Sequence, residues 1–184
     1  APTGLKPGTH RIVAEGLPAH AWDDPTLVRA ASAEALACRV SASSSHEAGG
    51  WSAANLVAPE GDPAKKGFSS QAHASAEAAE WVEVDLGAEA TLAKLVLVPR
   101  AGGAGFPRDF TVKVAREPGF YTTVAARHDC PPPDASGLVV DLYTVIGYPF
   151  VRYVRIETTR LGAPSGDEPG AYRFQLGRLR LLRP

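Results

Sequence analysis

Trp81-Val82-Glu83-Val84-Asp85-Leu86 is the stretch that decides the fold class. Val82, Val84 and Leu86 fall on one side of an extended chain, and Glu83 and Asp85 fall on the other. That period of two belongs to a strand with one face on a core and one in water. Phe110-Thr111-Val112-Lys113-Val114 repeats it, Val154 and Ile156 alternate with Arg155 and Glu157, and Leu138-Val139-Val140-Asp141-Leu142 follows less cleanly. Leu92 to Val98 is apolar on both faces, as in a strand flanked by others. Clusters of Gly, Pro and Ser at 43–50, 59–70, 99–107, 131–137 and 162–170 separate these segments. No βαβ rhythm accompanies them. The pattern predicts an all-β, antiparallel β-sandwich.

Upstream of residue 37 the reading changes. His10-Arg11-Ile12-Val13-Ala14 suits a short strand, and Asp23-Asp24-Pro25 suits a helix start, with carboxylates at the cap and proline in the first turn. Leu27, Val28, Ala31, Ala35 and Leu36 then recur at roughly helical spacing. The expected division is a short N-terminal arm or helix over 1–36 and a sandwich over 37–184.

The 184 residues are 45% hydrophobic and 21% charged, enough to bury the core of one ordinary globular domain. A net charge of -1 gives no long-range attraction to phosphate backbones or anionic lipid, so neither nucleic acid nor membrane is an expected partner. No apolar run approaches the roughly 20 residues that cross a bilayer. The start Ala1-Pro2-Thr3 and the lack of any Met suit a piece released by signal-peptide cleavage or cut from a longer polypeptide, which points to a secreted protein. Cys38 and Cys130, the only cysteines, are either a disulfide of an oxidising compartment or two small buried residues.

Several stretches, taken in order, resemble the coagulation-factor type C, or discoidin, family, which has a galactose-binding-like fold. They are Val40-Ser41-Ala42-Ser43-Ser44, Gly67-Phe68-Ser69-Ser70, the 81–87 segment, Val98-Pro99-Arg100, Gly105-Phe106-Pro107-Arg108-Asp109-Phe110-Thr111-Val112, Arg152-Tyr153-Val154-Arg155-Ile156 and Tyr172-Arg173-Phe174-Gln175-Leu176. Each string is weak alone; the ordered set, over about 38–182, is fairly specific. The resemblance implies an eight-stranded jelly roll whose loops at one end bind ligand. The Gly-Phe-Pro-x-Asp-Phe variant looks most like the sugar-binding modules of bacterial secreted glycoside hydrolases. Those are non-catalytic accessory domains whose partners are a carbohydrate and a tethered catalytic domain.

The family also implies a structural calcium, held in part by a Glu of the last strand and an Asp-Gly turn after the first loop. This sequence departs at both places. Arg178 stands at the apparent Glu position, and Asn55-Leu56-Val57-Ala58-Pro59-Glu60-Gly61 replaces the turn. A guanidinium opposes a cation that seeks six to eight oxygens, and the expectation is therefore no cofactor and no metal, with backbone carbonyls, Asp62 or Glu60 as the only donors for a degenerate site.

Sugar binding in water needs an aromatic face for the C–H side of the ring and fixed donors and acceptors for the hydroxyls. His46, Trp51, Phe68, His73, Arg100, Phe106 and Tyr172 lie at or beside strand ends and are the candidates. By resemblance Arg100 corresponds to an arginine that donates to sugar hydroxyls, and His73 lies just beyond the usual ligand-contacting loop. The bland readings are that Trp51 and Phe68 plug the core beneath a loop, that Trp81 is core, and that Lys65-Lys66 is a solvated turn. Arg173, Arg178, Arg180 and Arg183 read as a solvated sheet surface rather than an anion site.

A glycosidase needs two carboxyl groups across the bond, one kept protonated. Glu83 and Asp85 read as a solvated sheet face, Asp23-Asp24 as a cap and Asp167-Glu168 as a loop. No nucleophile elbow, zinc-binding His pair or phosphate loop is present in the sequence. No catalytic residue is expected. The competing readings are a structural or protein-interaction sandwich that binds no sugar and exposes a large apolar patch, and a catalytic domain with an unfamiliar site.

Overall fold

The computed structural model describes residues 38–59, 61–142, 145 and 150–184. The expected N-terminal arm over 1–36, and Glu60, lie outside the described residues. Ten strands follow in chain order: β1 (Arg39–Ala42), β2 (Phe68–Ser69), β3 (Glu80–Thr91), β4 (Lys94–Val98), β5 (Asp109–Ala115), β6 (Thr122–Arg127), β7 (Leu138–Asp141), β8 (Phe150–Arg160), β9 (Gln175–Leu176) and β10 (Arg178–Leu182). A 3-10 turn at Ala53–Val57 sits between β1 and β2. One sheet runs β1-β3-β8-β5-β6 and a second β10-β4-β7, while the two-residue strands β2 and β9 pair with each other. Every pairing between these ten strands is antiparallel.

The alternation seen in the sequence builds the core directly. Val82, Val84 and Leu86 of β3, Val112 and Val114 of β5, and Val154 and Ile156 of β8 are buried in one cluster with Leu95 and Leu97 of β4 and Leu179 and Leu181 of β10. Two sheets thus face each other across one apolar layer, as a sandwich requires. β4 is the middle strand of its sheet, and Val96, on its other face, is also buried.

Trp81 corrects an expectation. The period that buries Val82 turns its neighbours outward, so Trp81 lies on the solvent face with the Arg155 guanidinium 4.0 Å from its ring centroid. Arg155 also bridges Glu157 at 2.8 Å and Glu83 at 3.6 Å, which makes that face a cation–π and ion-pair layer rather than core. In the same phase, Glu80 points inward and is 4% exposed. The hydroxyls of Ser43 and Ser44 donate to its carboxylate, and His73 Nε2 lies 2.7 Å away, so the buried charge is met from three sides.

The two thiols are free and half-buried. Cys38 precedes Arg39, which lies opposite Asp85, and Asp85 lies opposite Tyr153 of β8. Cys130 bonds through its N–H to Arg108, beside Asp109, which lies opposite Arg160 of the same strand. Seven residues of β8 separate those positions, roughly 20 Å along the strand, far beyond the Cα separation of a disulfide.

Two bidentate pairs clip the larger sheet. Arg152 reaches Asp85 at 2.8 and 3.0 Å, and Arg160 reaches Asp109 at 3.0 and 2.9 Å. The arginine hydrogen bonds are the main cause holding both carboxyls below the ordinary Asp range. Depressed folded-state values mean that the stabilisation is complete above the unfolded value of about 3.9 and drains away as pH falls through the lower folded values. Thermal midpoints are therefore expected to be flat above about pH 5 and to fall below about pH 4. Asp109→Asn should flatten part of that acid slope, by a small amount because the pair is partly solvated. A superimposable acid profile for the variant would remove this pair from the account.

Candidate functional site

The loops after β1, after β4 and before β9 meet in an open groove of about 620 Å³. Trp51 reaches it because the chain turns through two left-handed glycines, Gly49 and Gly50, with φ of 58° and 87°. A side chain at Gly50 would lie 2.3 Å from the Ala64 carbonyl oxygen, so only glycine lets the two loops close on each other. Lys66 N–H donates to the Gly50 carbonyl, and the Asn55 amide donates to the same oxygen at 3.0 Å. Trp51 bridges to Gly67 beside β2. The ring therefore stands on a loop pinned from three directions.

Arg100 comes from the other side. β4 ends at Val98, whose carbonyl accepts from Gly177, and Pro99 sets the direction of the residue that follows. The Arg100 guanidinium carbon lies 5.6 Å from the Trp51 ring centroid, and its Nη1 donates to Gln175 Oε1 at 3.2 Å. Gln175 is buried, and its amide nitrogen donates to Ser69 Oγ at 3.1 Å. A relay from β2 through β9 thus orients the guanidinium before any ligand arrives. Held on one edge only, its planar fork is suited to bond neighbouring oxygens of a ligand.

His46 and Lys66 line the same groove, with Asp167 and Glu168 along another wall. Glu168 is clasped by Arg173 at 3.0 and 3.4 Å, and Arg173 also donates to the Ser70 carbonyl at 3.0 Å. The hydrogen bond from Ser165 is the main cause holding Asp167 below the ordinary Asp range, helped by the charges of Arg100 and Lys66. Asp167 is thereby arranged to stay ionised as a hydrogen-bond acceptor. Donors, acceptors and one aromatic face converge on a solvent-open depression, which is the inventory for gripping a polyhydroxyl compound.

Of the sequence candidates, Arg100, His46 and Trp51 come together here. The other four do not join them. Phe68 and Phe106 are 0% and 1% exposed and belong to the core, edge-on to Phe174 and Phe110 with centroids 5.4 and 5.9 Å apart. Neither offers a ring face to a ligand. His73 pairs through its backbone with Tyr172 and spends its ring on Glu80, while Tyr172 packs against the core. Sequence reading passed over Lys66, taken for a solvated turn, and Gln175, whose role rests on contacts with residues more than 70 positions away.

Comparison with known proteins agrees with this architecture. The model of the F5/8 type C domain matches residues 39–169. A carbohydrate-binding module (CBM32-3) from a family 31 glycoside hydrolase of Clostridium perfringens superposes with a TM-score of 0.59 at 14% identity, covering 80% of this chain and 91% of its own. Chitosan-binding module 2 of the chitosanase/glucanase from Paenibacillus sp. IK-5, solved with chitotriose, gives 0.56 at 16% identity over 80% and 98%. The lectin domain of lectinolysin, solved with Lewis B antigen, gives 0.55 at 21% identity over 82% and 95%. At such identities these structures share the fold and nothing finer is carried over from them. No curated protein matches the chain. With most of the sandwich matched by the family model, the chain belongs to the F5/8 type C domain family.

Proposed function

We propose that this chain is a non-catalytic carbohydrate-binding module that grips sugar in the groove between Trp51 and Arg100. The observation that carries the proposal is the Arg100 guanidinium, fixed by Gln175 and lying over the Trp51 ring at the rim of that groove. Trp51 supplies an apolar face for ring C–H groups. Arg100 donates to vicinal hydroxyls, and His46, Lys66 and Asp167 complete the polar contacts. The sugar ligands of the lectinolysin domain and of chitosan-binding module 2 support the class of ligand.

A non-catalytic role is supported by the two acids of the groove. Hydrolysis needs one carboxyl kept protonated near neutral pH, whereas Asp167 is pushed the other way and Glu168 is committed to Arg173. The module acts by holding a tethered glycoside hydrolase at its substrate in a secreted protein, an avidity effect. A single site of this open kind binds modestly, because each hydroxyl exchanges water for a protein partner. Calorimetric titration of the isolated chain across neutral, amino and acidic oligosaccharides tests the reading. Saturable binding to one class, with Kd near the millimolar to micromolar range expected of shallow polar sites, is the predicted outcome. No heat with any class would overturn it.

One observation favours a second reading. Phe120 and Phe150 are 79% and 62% exposed and line another depression, at the Phe150 end of β8. Paired exposed rings suit a protein surface. In that case the chain serves as an interaction domain, and Phe150→Ser would abolish partner capture without altering any sugar titration.

A further inference from the structure

Arg178 opens β10 opposite Val98, and its guanidinium crosses to the end of the 3-10 turn. There Nη1 donates to the Ala58 carbonyl and Nη2 to the Pro59 carbonyl at 3.4 Å. The turn itself is anchored by Leu56, which is fully buried, and by Ser52, whose hydroxyl accepts from Ala54 at 3.3 Å. We infer that the Arg178 guanidinium stands where a bound cation would otherwise tie this turn to the last strand, so that the domain holds its loops without calcium.

The donor set does not fit the metal that the family implies. Two successive carbonyls converge on one point, a concentration of negative partial charge that calls for a cation or a set of donors. A guanidinium supplies both, in a planar fork and on a covalent stem that no chelator removes. A calcium ion at the same oxygens would face that positive charge within a few ångströms and would still need six to eight oxygen ligands. Among the described residues, no group of three or more His, Cys, Asp or Glu is placed to hold a metal.

The link extends to the groove. Asn55, in the turn that Arg178 holds, donates to the Gly50 carbonyl, and Gly50 precedes Trp51. Arg178 is accordingly a positioning residue for the aromatic platform. A metal-dependent fold loses its binding loops when calcium is withdrawn; this one keeps them.

Thermal unfolding and calcium titration of the full chain, Arg178→Lys and Arg178→Glu test the inference without any glycan. The original chain should melt at the same temperature in calcium chloride and in EDTA and give no calcium-binding heat. Arg178→Lys keeps the charge without the fork; it should melt a few degrees lower, roughly 2–8 °C, and be equally indifferent to calcium. Arg178→Glu should melt lower still in EDTA and recover part of the loss in calcium chloride, because a carboxylate now faces the two carbonyls. A midpoint of the original chain that rises with calcium or falls in EDTA would overturn the inference, and so would a folded Arg178→Glu that calcium does not stabilise. Should Arg178→Glu fail to fold, the comparison of the original chain with Arg178→Lys decides alone. Failure of the sugar-binding proposal would leave every one of these readings unchanged.

Discussion

Replacing Arg100 with alanine is expected to weaken glycan binding about 10- to 100-fold while the melting temperature moves by less than a few degrees. Hydrogen bonds from a charged donor contribute about 1.5–3 kcal/mol, and each 1.4 kcal/mol is tenfold in affinity. The side chain lies at the rim of the groove, so its loss opens no core cavity. Its hydrogen bond to Gln175 is forfeited, yet Gln175 keeps Ser69 as a partner. Arg100→Lys should fall between, since a point charge cannot bond two oxygens as a planar fork does. Calorimetry beside thermal unfolding separates the two effects. Undiminished binding by a folded Arg100→Ala would show that the sugar sits elsewhere.

The opposite balance is expected at Phe106. The ring is 1% exposed and packs edge-on against Phe110, so Phe106→Ala should cost about 3–5 kcal/mol of stability, the usual range for an aromatic removed from a core. For a domain of this size that corresponds to a midpoint lowered by roughly 6–20 °C. Below the midpoint the molecules still folded should bind with nearly the original affinity. A variant that melts normally and yet fails to bind would return Phe106 to the ligand surface.

These two residues also mark where sequence reading stopped short. Arg100 and Phe106 both stand near the ends of strands, where either could meet a ligand, and the family resemblance favoured Arg100. Packing separates them: Phe106 is buried against Phe110, whereas Arg100 lines the groove. Gly67 and Gly105 take φ of 106° and 72°, and a side chain on either would lie 2.2 and 2.7 Å from atoms of the 175–177 segment. The backbone is pressed against its neighbour at both places, but Gly50 is crowded in the same way and precedes Trp51, which lines the groove, so a glycine before a ring does not by itself mark a core residue. The strand alternation was legible because burial of one face leaves a period of two in the residues themselves. Extending that same phase by one position places Glu80 inside and Trp81 outside, a step obscured because a carboxylate and an indole read naturally the other way. The groove was only half legible. Trp51, His46 and Arg100 are residues of the right kind at strand ends, whereas Gln175, Lys66 and Asp167 matter through tertiary contacts that no local spacing encodes.

The most direct check on the account is a residue-resolved titration of the isotopically labelled chain with the oligosaccharide that binds in calorimetry. Amide shifts should be concentrated at His46–Trp51, at Arg100 and along 165–177, with the Trp51 indole N–H among the strongest responders. Shifts centred instead on Phe120 and Phe150, or spread evenly over both sheets while the amides around Trp51 and Arg100 stay still, would contradict it.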